Sequence, residues 1–156
     1  MTTKTFLAGV TMLAALESPA YAGILDDVFD DYGTCYARQY DAQHLSSHPR
    51  QKVSVVYLSH TAEPDPGYNG VLLDFGFIMR DGDLYSANVY CDRNDRCSVE
   101  GDGGNFRVSE TKDGLRIEVG DFLGIEGANG WSGDLTESDD RVFLVYRESP
   151  RACSYE

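Results

Sequence analysis

His44 and His48 are the residues in this chain whose types and spacing most resemble a metal site. Four residues apart on a helix, they place both imidazoles on one face, and His60 is the third histidine of the chain. The pair lacks the glutamate of H-E-x-x-H, and one ring capping a helix before Pro49 while the other meets solvent accounts for it without a metal. A second cluster, Asp134, Glu137, Asp139 and Asp140, offers oxygen ligands of the kind calcium takes, or a solvated loop. Asp92-x-Asn94 opens like an EF-hand loop. Arg96 stands there at a ligand position, Cys97 where glycine is required and Gly103 where the bidentate glutamate belongs, so that motif is rejected. Gly130-Trp131-Ser132-Gly133 falls one residue short of a nucleophile elbow, and carboxylate pairs suited to glycoside hydrolysis arise by chance among 26 acidic residues. Neither a catalytic residue nor a cofactor is expected. Trp131, the single tryptophan, lies in a glycine-rich stretch and is the better candidate for a binding anchor.

Cys35, Cys91, Cys97 and Cys153 form an even set, and in an exported chain an even set reads as disulfides. Four cysteines permit three pairings, and sequence alone does not choose among them. Cys91 and Cys97 flank the polar turn Asp92-Arg93-Asn94-Asp95-Arg96, where a local bridge is geometrically easy. That pairing leaves Cys35 with Cys153, a long loop whose closure is worth roughly 3–5 kcal/mol in the chain-entropy description.

Export is expected from the N-terminus. Lys4 precedes an apolar run from Phe6 to Leu16, Pro19 breaks it, and Ala20-Tyr21-Ala22 has the small-x-small form of a cleavage site. The run is well short of the ~20 residues a spanning helix needs. Residues 1–22 are thus expected to be a cleavable signal and 23–156 a single domain, in the periplasm or outside the cell. The net charge of −13 disfavours nucleic acid and anionic membrane surfaces as partners and permits a cationic one, although solubility alone also explains such a charge.

The elements that must position these residues read mostly as strands. Ile24, Leu25, Val28, Phe29 and Tyr32 recur at helical spacing ahead of Gly33, and Asp41 is placed to cap a brief helix over Ala42 to Ser47. Strands are expected at Cys35–Tyr40, Gln51–His60, Val71–Met79, Leu84–Cys91, Ser98–Glu100, Phe106–Glu110, Leu115–Val119 and Arg141–Arg147. Asp81-Gly82 marks a hairpin turn, and Gly120 to Gly133 reads as a loop with one short strand at Phe122 to Ile125. Short strands joined by Gly/Asp turns, without alternating helices, indicate an all-β domain: an antiparallel sandwich or small barrel with one or two short N-terminal helices, stapled by disulfides.

In class and expected compartment the chain is similar to small exported inhibitors of lysozyme, which are acidic, disulfide-bearing β-barrels. Their serine-glycine/tyrosine and lysine-glycine loop motifs are not recognisable in it, and no residue is carried across. The function expected is an exported, non-catalytic, inhibitor-like module for a cationic protein or small cationic ligand, with Trp131, Asp134, Glu137, Asp139 and Asp140 as its contact residues. The alternatives are a hydrolase with an unrecognised carboxylate or histidine site, and a structural envelope protein without a discrete ligand.

Overall fold

The structure, a computed structural model, describes residues 23–63 and 65–155. The expected export signal lies outside them. Two short helices come early, α1 (Ile24–Val28) and α2 (Ala42–Ser47). The strands are β1 (Cys35–Gln39), β2 (Val53–Ser59), β3 (Val71–Met79), β4 (Leu84–Cys91) and β5 (Arg96–Val99). They continue as β6 (Gly104–Glu110), β7 (Gly114–Leu123), β8 (Glu126–Gly127), β9 (Gly130–Trp131) and β10 (Val142–Glu148). Single 3₁₀ turns follow β9 at Leu135–Glu137 and β10 at Pro150–Cys153.

Of the two all-β architectures expected, the chain takes the barrel. Strands β1 to β7 pair with their neighbours in order, and β10 closes the sheet between β7 and β1. Every pairing is antiparallel. Closure removes the unpaired edges that would otherwise template aggregation. Alternation sets the inner face: Leu73, Phe75 and Phe77 of β3 are fully buried, as are Phe106, Ile117, Phe143 and Val145 from strands around the ring. Phe75 reaches Phe106 on β6, ring centres 4.7 Å apart, and Phe77 stacks on Tyr85 at 5.5 Å. An eight-stranded barrel is about wide enough to be filled by its own side chains, and this one is.

Both ends are covered. At the end where β3 begins, α1 presses Leu25 and Phe29 into the core, and the Leu25 amide donates to the Asp95 carboxylate at 3.2 Å. At the other end Leu135, wholly buried, caps the interior beside Leu123 and Ile125. Asp41 caps α2 as expected, its carboxylate accepting from the His44 amide at 2.7 Å.

The expected loop over Gly120–Gly133 needs correction. Strand β7 runs on to Leu123, and Glu126–Gly127 pairs with Gly130–Trp131 in a small ribbon of its own. Between the pairs Phe106–Val119 and Gly104–Leu123 the register shifts, so Gly120 marks a bulge rather than a strand end. A side chain at Gly120 would collide with Asn105.

The two disulfides are Cys91–Cys97, joining paired residues of β4 and β5, and Cys35–Cys153, which fastens the last 3₁₀ turn to β1 across 118 positions of sequence. Loop-closure entropy ranks them. Replacing Cys35 and Cys153 with serine is expected to cost about 5 kcal/mol of unfolding free energy, against about 2 kcal/mol for Cys91 and Cys97. Urea denaturation followed by far-ultraviolet circular dichroism measures both; equal losses would mean that closure entropy is not what the long bridge contributes.

Candidate functional site

The acidic residues expected to bind a ligand are largely engaged by the fold. Asp140 is 1% exposed, and its carboxylate accepts from the Lys52 and Val53 amides at 2.6 and 3.2 Å and from the Ser138 hydroxyl at 2.6 Å. Asp134 caps the 3₁₀ turn that follows it. Burial pushes its carboxyl up, but hydrogen bonds from the Thr136 amide and hydroxyl and the Leu123 amide, with the Arg141 charge, outweigh this and hold it below the usual range. Asp139 is held low by the Arg50 guanidinium at 2.5 Å, an exposed pair. Glu137 alone among the four is exposed with no hydrogen-bond or ion-pair partner in the described residues.

The histidine pair forms a stack. His48 lies on His44 with ring centres 4.2 Å apart, and His44 lies on Tyr40 at 4.6 Å. His44 Nε2 bonds Gln51 at 3.0 Å, and His48 Nδ1 donates to the His44 carbonyl at 2.9 Å. One nitrogen of each ring therefore fixes the helix end, while His60 belongs to the far end of the barrel. Among the described residues no three His, Cys, Asp or Glu side chains gather as a metal site.

Trp131 is 48% exposed. Its ring stacks on Phe122 at 5.8 Å and packs against Gly124, where any side chain would strike it. Asn129, at the tip of the β8–β9 ribbon, bonds Asp83 at 2.7 Å, which ties the ribbon to the β3–β4 turn.

An acidic cavity lies elsewhere, between α1 and the loop residues His60, Ala62, Asp65, Tyr68 and Gly70. It measures about 290 Å³ and is walled by Asp26, Asp30, Asp65, Phe29, Tyr68 and His60. The loop is held against α1's end by Gly33 donating to the His60 carbonyl at 2.7 Å and by Tyr32 donating to the Thr61 carbonyl at 3.0 Å. Asp26 accepts from the Gly23 amide and Asp65 from the Gly67 amide, while Asp30 has no partner in the described residues. His60 Nδ1 is buried and without a hydrogen bond. A buried polar atom left without a partner costs about 1–3 kcal/mol. No local signal in the sequence indicates that Asp65 and Tyr68 fold back to face Asp26 and Asp30.

A buried, fully bonded carboxylate and an exposed free one should behave differently. Asp140→Ala is expected to cost about 2–4 kcal/mol, because two strand amides lose their acceptor, and Glu137→Ala less than about 0.5 kcal/mol. Asp92, lowered chiefly by the hydrogen bond from the Arg96 amide, and Asp134 are both depressed in the folded chain. Their contribution to stability is complete above their unfolded pKa near ~3.9 and is lost as pH falls through the lower folded values. Denaturant midpoints measured from pH 7 down to pH 2 should therefore fall only at the acid end, and Asp92→Asn with Asp134→Asn should flatten that fall. No protein-family model, curated protein or solved structure matches the chain, and the geometry of its cavities is the ground for assigning it a role.

Proposed function

We propose that the chain is an exported, non-catalytic binding module that takes a cationic group into the cavity beneath α1. The group is a lysine or arginine side chain of a protein partner, or a small organic cation. One observation carries this reading: three carboxylates and the rings of Phe29, Tyr68 and His60 wall a cavity of about 290 Å³. Carboxylates and ring faces are the two surfaces that attract ammonium and guanidinium groups, and a net charge of −13 steers such partners inward.

Two disulfides suit an oxidising compartment, and the periplasm or the extracellular space is the setting proposed. Cleavage after Ala22 would convert the Gly23 amide, 3.1 Å from Asp26, into an ammonium group. Asp26 then serves the chain's own amino terminus, and Asp30 and Asp65 remain for a ligand. Trp131, at the opposite end of the barrel, is a second contact for a large partner rather than part of this cavity.

Capture from envelope and secretion extracts, at low and moderate salt, tests the reading. A basic protein should be retained, released as salt rises, and held roughly tenfold more weakly by the double variant Asp30→Asn/Asp65→Asn. Retention that ignores both salt and the double variant would overturn the proposal. Loss of retention in Trp131→Ala alone would move the anchor to the other end of the barrel.

A further inference from the structure

A second cavity, about 220 Å³, opens between α2 and the outer face of β10, and its charge is the reverse of the first. It exists because the closing strands separate. Pairing of β1 with β10 stops at Ala37–Tyr146; beyond it β1 pairs with β2 alone as far as Gln39, and β10 with β7 alone back to Val142. Arg38 stands where they part. Its guanidinium lies over the Tyr40 ring at 4.5 Å and within 5.9 Å of the Tyr146 ring centre.

Two arginines are half-buried in the described residues, Arg38 and Arg116, and both line this cavity. Arg116 is paired with Glu118 at 3.5 Å, whereas Arg38 has neither hydrogen bond nor ion pair among the described residues. In a chain with twice as many acids as bases, a half-buried cation without a carboxylate is the exception. Ring faces on a guanidinium fix its plane and leave the N–H edge free, the edge that grips a carboxylate in two parallel bonds. Asp139, the cavity's own carboxylate, is occupied by Arg50. Apolar surface lies alongside: Val142 and Leu144, 37% and 36% exposed, line the cavity, and Tyr146 extends the same face of β10.

The geometry points to a site for a small carboxylate with an apolar body, the carboxylate on Arg38 and the body along Val142 and Leu144. This ligand is opposite in charge to the one proposed for the cavity beneath α1, and the two sites share no residue. A free aliphatic acid and the carboxyl terminus of an apolar peptide present the same chemistry.

Calorimetric titration of the purified protein distinguishes them, with octanoate and acetyl-Leu-Val as probes and their amides as controls. At least one acid should bind at least roughly tenfold more tightly than its amide, the scale of a charge-assisted pair of hydrogen bonds. Binding of octanoate only identifies a lipid-type acid; binding of the peptide only identifies a chain terminus. Arg38→Gln should erase the preference for acid over amide, and Asp30→Asn/Asp65→Asn should leave it intact. Leu144→Asp, at an exposed position where folding is not at stake, should repel the acid more than the amide. Equal affinity for acid and amide, a preference that survives Arg38→Gln or Leu144→Asp, or no heat from either acid up to about 10 mM would overturn the assignment.

Discussion

A sheet of eight strands becomes a barrel only where its first strand meets its last, and in this chain the meeting is small. Three residue pairs join β1 to β10, Cys35–Glu148, Tyr36–Arg147 and Ala37–Tyr146, whereas β3 and β4 pair along the whole stretch from Val71–Cys91 to Ile78–Leu84. The ladder is as short as those on either side of β5, and further contacts hold this seam at both ends. At one end Cys153 bonds to Cys35, and Tyr155 packs on Tyr57, ring centres 5.3 Å apart, in a small apolar cluster outside the barrel. At the other end Asp140 reaches past the end of β1 to the amides that begin β2. Between these fastenings lies the gap that Arg38 and Tyr40 border. The parting of β1 from β10 and the presence of the second cavity are one fact.

What could be read from the sequence was local. The bounds of α2, β3 and β4 follow from Asp41, from the alternation of Leu73, Phe75 and Phe77, and from the Asp81-Gly82 turn, all signals carried within a few residues. Pairing Cys91 with Cys97 belongs to the same class. The roles of the carboxylates could not be read this way. Asp140 looks in sequence like Glu137, and only the arrival of Lys52 and Val53, 88 and 87 positions away, makes one structural and leaves the other in water. The cavity under α1 has the same origin, since Asp30 and Asp65 meet through a loop whose path no short motif records. Gly120 misled for a related reason: a glycine that ends a strand and one that bends it look alike until the partner strand is known.

Composition describes this chain as uniformly acidic, but its surface is not. Carboxylates face the cavity at the end of the barrel where β3 begins, and unneutralised arginine is set at the seam toward the opposite end. Net charge acts at long range and decides which partners approach. A single guanidinium backed by tyrosine rings acts over a few ångströms, where the average charge has little weight. The two proposed kinds of recognition would therefore coexist without cancelling.

The place of β10 in the ring also sets an order in time. Strands β1 to β7 are each neighbours in sequence and can pair as they emerge, but the strand that gives β1 its second partner is the last one made, and Cys153 follows it. Until β10 and Cys153 are available the nascent sheet has two open edges, β1 and β7, and an exposed apolar inner face. Contacts between residues so far apart in the chain are slow to form, so the period of vulnerability is long. Any cellular factor that assists this protein has most to gain by shielding those two edges during that interval, and a chain broken off before Val142 would keep them exposed.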